Sequence, residues 1–195
     1  MVSVILLAAG QSERMGKLKQ LMPMGKSTIL EQTIDNFLGS QADEVIVVAG
    51  HRSEDTIKVI GSRPVKIAIN PAYRQGMSTS IIAGLSLVDS RAQAVMLALG
   101  DQPFIDGQTI NHLIAEFYNH KKGIAIPVFK RRRGHPVIFD IKYREQLLRL
   151  EGDIGAREII ARHPEDVLEV AVNCEGIYID IDTVDSYDLR RNETR

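Results

Sequence analysis

The chain has 195 residues, 44% hydrophobic and 25% charged, a composition that suits one globular domain with a substantial core. A formal net charge of -1 gives no overall field for nucleic acid or an anionic membrane, and no apolar run reaches membrane-spanning length. The start lacks a secretory signal pattern, and Cys174, the only cysteine, excludes an internal disulfide and a cysteine-rich zinc site, so a cytoplasmic protein is expected.

The N-terminal run VSVILLAA predicts a strand over Val2 to Ala8, apolar enough to be buried on both faces. It opens into LLAAGQSERMGKLK, Leu6 to Lys19, where Gly10 frees the backbone to turn and expose N–H groups, and Arg14 and Lys19 supply positive charge for a triphosphate. This loop is not the dinucleotide fingerprint G-x-G-x-x-G, because Gln11 and Ser12 stand where the second glycine would be needed. GKST at Gly25 to Thr28 is not a Walker A loop, since Gln20 stands five positions before Gly25. Gly25 reads as a turn, and Ser27 or Thr28 as a helix cap.

Helix and strand patterns then alternate. A helix is predicted over Thr28 to Leu38, a strand over Glu44 to Ala49, a helix over Glu54 to Ile60 and a strand over Val65 to Ile69. A helix over Ser78 to Val88 and a strand over Ala94 to Leu99 continue the series. Such alternation marks an α/β fold with a mostly parallel sheet and helices on both faces. Ligands of these folds bind beyond the carboxyl ends of the strands. Gly10, the GHR of Gly50 to Arg52, Asn70 and Asp101 all follow strands, so they converge on one edge.

After a helix from about Gln108 to His120 the pattern changes to IAIPVF, the RRRGHP bend and VIFD, an antiparallel excursion expected to cover the site. Arg131 to Arg133 read as a solvated hairpin tip. A helix over Tyr143 to Leu150, GDIGAR with a helix to His163, and strands over Val167 to Val172 and Gly176 to Asp182 follow, the last leading into a C-terminal helix. Cys174 reads as a small core residue beside the Val170 to Val172 strand, and the RRNETR tail as frayed.

Asp101, in GDQP at the tip of an apolar strand, either binds Mg²⁺ or caps a turn before Pro103. DIDT, Asp180 to Thr183, puts two carboxylates on one face of an extended segment, and Asp182 can also cap the helix that follows.

Taken in order, the Leu6 to Lys19 loop, GHR, NPAYRQGMSTSI at Asn70 to Ile81, GDQP, RGHPVIF at Arg133 to Phe139, GDIGAR and DIDT make a resemblance. The chain is similar, over nearly its whole length, to the molybdenum cofactor cytidylyltransferase branch of the molybdopterin nucleotidyltransferases. The first loop alone also resembles nucleotidyltransferases that activate sugars or polyols, and the GHP, GDIGAR and DIDT segments narrow the likeness. The resemblance implies a single Rossmann-like nucleotidyltransferase domain over residues 1–195, joining CTP to the terminal phosphate of molybdenum-bearing molybdopterin and releasing pyrophosphate. It implies a nucleotide site of Leu7, Ala8, Ala9, Gly10, Arg14, Lys19, Asn70, Gly76, Ser78 and Gly100, with Arg14 and Lys19 on the β- and γ-phosphates. Asp101 and Asp182 would hold Mg²⁺, with Mn²⁺ as the alternative ion, and Arg14, Lys19 and Asp101 would be the catalytic set. His135 would face the pterin acceptor with Asp153 helping to order that side, unless His135 satisfies its own bend and Asp153 caps its own helix. The implied partners are CTP, molybdopterin and a molybdenum hydroxylase that takes over the product, with neither nucleic acid nor membrane.

The chain departs from the family pattern at QLMPMG after Lys19 and at Val184 after DIDT, both packing or helix-start positions. The rival readings are a guanylyl-transferring relative, a sugar-phosphate nucleotidyltransferase, and a non-catalytic carrier of the cofactor.

Overall fold

The computed structural model describes residues 1–11, 18–153 and 155–181. Its centre is β1 (Val2–Ala8), in which every residue except Leu7 is buried. β1 pairs in parallel with β4 (Glu44–Ala49) on one side and β6 (Ala94–Leu99) on the other, and β5 (Lys66–Ile69) extends the parallel sheet beyond β4. Beyond β6 lies β9 (Val137–Asp140), antiparallel to β6 and to β7 (Ile124–Phe129) on its far side. β10 (Val167–Ala171) closes that edge in parallel with β7, giving the order β10-β7-β9-β6-β1-β4-β5.

The antiparallel segment is therefore present, but it does not cover the site as expected. VIFD lies in the sheet interior, with Ile138 and Phe139 fully buried. The physical reason is its run of consecutive apolar residues, which requires cover on both faces. Only the two-residue β8 (Arg132–Arg133) stands off as a hairpin on β7, and Arg131 to Arg133 are exposed, as read from sequence, together with Lys130.

Period-two alternation divides the side chains of β1 between two layers. Val4, Leu6 and Ala8 pack with Leu30, Ile34 and Phe37 of α1 (Ile29–Leu38) and with Ile110, Leu113 and Phe117 of α4 (Gly107–Asn119). Ile60 of α2 (Ser53–Ile60) joins the same layer. On the opposite face Ile5 packs with Ile81 and Leu85 of α3 (Met77–Leu85), Leu147 of α5 (Arg144–Leu148) and Ile159 of α6 (Arg157–Arg162). The i, i+3 and i, i+4 spacing of these residues makes each helix one-sided.

Two local devices fix the elements around the site. Gly25, at a φ of 59°, turns the hairpin of β2 (Pro23–Met24) and β3 (Ser27–Thr28), and Thr28 then starts α1. Thr28 Oγ1 accepts from Glu31 N–H at 3.2 Å while Glu31 Oε2 accepts from Thr28 N–H at 2.8 Å, a reciprocal capping box. Gly84 lets α3 lie directly on β1, since a Cβ there would stand 2.3 Å from Ile5 Cγ2. Close packing at Gly84 sets where the N-terminus of α3 meets the carboxyl ends of the strands.

The C-terminal part of the sequence reading needs correction. Residues Glu175–Tyr178 form a 3₁₀ turn where a strand from Gly176 was expected, and β10 ends at Ala171. Gly176 presses its Cα against Phe104, whose carbonyl oxygen would lie 2.5 Å from a Cβ, and Ile177 O accepts from His135 N–H at 2.7 Å. These local partners use the backbone groups a sheet ladder would need, while the buried run still looks strand-like. Cys174 is buried as expected, with Sγ donating to Phe104 O at 3.3 Å. The expected C-terminal helix lies outside the described residues.

Candidate functional site

Leu7, Ala8, Ala9 and Gly10 carry the chain out of the sheet along the wall of a cleft of about 710 Å³. Gly100 and Asp101, at the end of β6, form the opposite side. The two strand ends meet closely because Gly100 lacks a Cβ, which would sit 3.1 Å from both Ala8 Cβ and Leu7 O, and Gly100 N–H donates to Leu7 O at 2.9 Å. A Cβ on Gly10 would meet nothing within 4 Å, because that space is the cleft. Its φ is not in the left-handed region, so Gly10 serves by leaving room beside its backbone.

Lys19 opens a 3₁₀ turn, Lys19–Leu21, that brings its ammonium into the cleft, where it forms an ion pair with the Asp101 carboxylate. The next residue, Gln20, is buried and its Nε2 donates to Ala8 O at 3.0 Å, which holds this turn against the β1 exit. Gln20 escaped the sequence reading, which took QLMPMG as packing; a polar amide inside an apolar segment was the available signal.

Asp101 is also tied to the C-terminal segment. Ile181 N–H donates to Asp101 O at 3.4 Å, and Gln102 Nε2 donates to Asp180 Oδ1 at 2.5 Å and to Ile177 O at 3.3 Å. Asp180 is thereby tied to the residue that follows Asp101, though it is not among the described residues lining the cleft. Arg14 and Asp182 lie outside the described residues. Among the described residues no group of three or more His, Cys, Asp or Glu side chains could enclose a metal. Asp101, on the wall of an open cleft, is the kind of carboxylate that holds a divalent cation together with phosphate oxygens of a substrate.

Asn70 and Ser78 are placed differently from Gly76. Asn70 Nδ2 donates to Thr79 Oγ1 and Ser80 Oγ, both at 2.9 Å, and its Oδ1 accepts from Ala72 N–H at 2.9 Å. Its amide is committed to the fold of the loop, and neither Asn70 nor the buried Ser78 is among the described residues lining the cleft. Gly76, Ser80 and the Tyr73–Gln75 turn are. Arg74 lies over the Tyr73 ring, 5.8 Å from its centroid, and brings a second cation to the cleft. Tyr73, Arg74 and Ser80 were missed although they follow a strand, the position that singled out Asn70.

A second, mostly apolar pocket of about 140 Å³ adjoins the first, and the two share Leu7, Met77, Leu99 and Asp153. His135 lies on its wall. Burial holds the imidazole below its ordinary pKa, Arg157 pushes it in the same direction, and Asp101 opposes them, so His135 is neutral at neutral pH. Asp153 does not cap its own helix. Its Oδ1 accepts from Met77 N–H at 3.0 Å, while Gly152 O accepts from Ser78 N–H at 3.2 Å. Gly76 makes this docking fit, at a φ of 112° and with Gly152 O where a Cβ would stand at 2.4 Å.

Residues 4–167 match the MobA-like NTP transferase domain. The chain is 28% identical over 194 residues to the nicotine blue oxidoreductase of Paenarthrobacter nicotinovorans, covering 94% of this chain and 93% of that protein. It is 28% identical over 187 residues to the molybdenum cofactor cytidylyltransferase of Escherichia coli K12, covering 95% and 93%. Among solved structures, Rv0371c from Mycobacterium tuberculosis H37Rv in complex with manganese has a TM-score of 0.84 at 27% identity, over 99% of this chain and 98% of that one. No helix among the described residues is long and apolar enough to cross a membrane. With the family model spanning most of the sequence, from the first strand through GDIGAR, the chain belongs to the MobA-like NTP transferase family, the molybdopterin nucleotidyltransferases that its motifs resemble.

Proposed function

We propose that the protein is a single-domain cytidylyltransferase that joins CTP to the terminal phosphate of molybdenum-bearing molybdopterin and releases pyrophosphate. The observation that carries this reading is a pair of adjoining pockets of different character, which share Leu7, Met77, Leu99 and Asp153. The polar cleft has Lys19 and Asp101 on its walls, and the apolar pocket has His135 on its wall. A nucleoside triphosphate suits the first and a ring-bearing acceptor the second.

In this reading Ala8, Ala9 and Gly10 offer backbone to the nucleotide, and Lys19, Arg14 and Arg74 face the phosphates. Asp101 and Asp182, with Asp180 nearby in sequence, would hold a divalent ion, which would supply charge neutralisation of the triphosphate. The manganese complex of Rv0371c supports a site for such an ion. The acceptor phosphate is already ionised near neutral pH, its second pKa being about 6, so attack on the α-phosphorus needs no general base. Catalysis then consists of holding two anions in line and stabilising charge on the departing pyrophosphate. Lys19 must exchange Asp101 for phosphate oxygens as substrate enters. Asn70 acts indirectly by fixing the loop that carries Tyr73, Arg74 and Gly76, and Ser78 by its backbone N–H on Gly152 O.

Incubating the protein with molybdopterin and each of CTP, GTP, ATP and UTP, with mass detection of the product, tests the proposal. The cytosine dinucleotide with one equivalent of pyrophosphate is expected. The guanine dinucleotide would replace cytidylyl by guanylyl transfer. Molybdopterin binding without pyrophosphate release from any nucleotide would make the protein a carrier.

A further inference from the structure

The GHR segment, Gly50 to Arg52 after β4, does not line the polar cleft, yet it touches two residues that do. His51 N–H donates to Ala9 O at 3.2 Å, and His51 Nδ1 lies 3.3 Å from the Tyr73 hydroxyl oxygen, within hydrogen-bond reach. Either tautomer makes that bond, since a bare Nδ1 accepts from the phenol and a protonated one donates to it. The two rings stand 5.7 Å apart, tilted by 52°. Gly50 allows the close approach, because a Cβ there would stand 2.7 Å from Ala9 Cβ and 2.8 Å from Tyr73 Cβ. One half-buried histidine thus joins the exit of β1 to the Tyr73–Gln75 turn, two parts of the cleft wall that are far apart in sequence.

We propose that His51 is a positioning residue for nucleotide binding, fixing the Tyr73 ring and the Ala9 backbone as one wall for the nucleoside end of the triphosphate. The inference rests on the nucleotide reading above and adds to it a residue that touches no substrate. With its hydroxyl held by His51, Tyr73 offers the cleft ring surface, which suits a nucleobase or its ribose, while Lys19 and Asp101 serve the phosphate end. A tyrosine ring has two torsions to fix, and a ring already held by its neighbours loses less freedom when a ligand settles on it. The backbone bond from His51 to Ala9 survives any side-chain substitution at His51, so such a variant isolates the contact with Tyr73.

The test titrates the full chain, in the presence of Mg²⁺, with CTP and with GTP by calorimetry, and compares variants with the nucleotide that binds more tightly. His51→Ala should weaken binding about fivefold, the worth of one neutral hydrogen bond, and Tyr73→Phe, which keeps the ring and loses the tie, should weaken it equally. The two substitutions together should be no worse than either alone, because both remove the same contact. His51→Asn sets an amide atom near the place of Nδ1 and should recover most of the affinity. Should His51→Ala fail to fold, the conservative Tyr73→Phe and His51→Asn carry the comparison. In steady-state kinetics the change should fall on KM for the nucleotide, with kcat within about twofold and KM for molybdopterin unmoved, a split that a general loosening of the fold would not produce. Losses that add in the double variant, no recovery with asparagine, a fall in kcat, or failure of the unaltered protein to bind either nucleotide would each overturn the proposal. His51-dependent binding without pyrophosphate release from any nucleotide would sink the transferase reading and leave the wall standing, and normal transfer with His51-independent affinity would do the reverse.

Discussion

The Asp153 carboxylate accepts a hydrogen bond from the Met77 backbone N–H at 3.0 Å, across 76 residues of sequence. It thereby caps α3 from another part of the chain, at a residue that lines both the polar cleft and the apolar pocket. Asp153→Ala should cost about 0.5–1 kcal/mol of stability, the usual worth of a lost helix cap. Its larger effect should be a several-fold rise in KM for the acceptor. Asp153→Asn keeps an acceptor oxygen and should restore most of both. Denaturant midpoints and steady-state kinetics in each substrate measure this, and equal KM increases for both substrates would show that the tie serves the fold alone.

Asp101→Asn is nearly isosteric at a strand end and should fold normally, yet lose on the order of 10³-fold in turnover through loss of charge at the metal. Binding of Mn²⁺, followed by electron paramagnetic resonance, should weaken in parallel. Pyrophosphate release close to that of the unaltered protein would remove Asp101 from the metal site.

For Lys19→Ala the expected signature is kinetic. A cation that meets charge building on the leaving pyrophosphate is worth more in the transition state than in the ground state, so kcat should fall about 10²-fold together with kcat/KM. If KM alone rises, Lys19 merely docks the triphosphate.

Acid stability should depend on Asp166. Burial alone would raise its pKa, but the Lys142 ammonium at 2.6 Å, the Tyr143 hydroxyl at 2.6 Å and the Gly123 N–H at 2.9 Å outweigh it and hold the carboxyl at about 2, below the ordinary 3.8. The unfolded chain therefore takes up this proton first as pH falls. The stabilisation, at most about 2 kcal/mol, is complete above 3.8 and is lost as pH drops from there toward 2. Urea midpoints of Asp166→Asn should show a flatter profile across that window, and parallel profiles would rule the carboxylate out as the sensor.

The strands were legible because burial on both faces leaves an unbroken apolar run, as in β1, and because glycine or a polar residue follows β4, β5 and β6 directly. Asp101 and Lys19 could be read from the same rule, and the structure brings them together. Asn70 shows where the rule stops. A polar residue after a strand looks the same whether its amide faces a ligand or, as here, the hydroxyls of Thr79 and Ser80. Ile177 shows a second limit, since a buried apolar residue in a 3₁₀ turn is indistinguishable by pattern from one in a strand. Arg74 and Gln20 depended on loop geometry that no periodicity encodes.

The place of β9 has a consequence for synthesis of the chain. β1, β4, β5 and β6 are complete once residue 99 has been made, but the open edge of β6 pairs with residues 137–140. Until that segment leaves the ribosome, the first half of the sheet presents an apolar strand with unpaired backbone groups, a template for association with other nascent chains. Strand β9 is thus the clasp between the two halves, and a chain interrupted before residue 137 should collect in aggregates even though every strand of its first half is present.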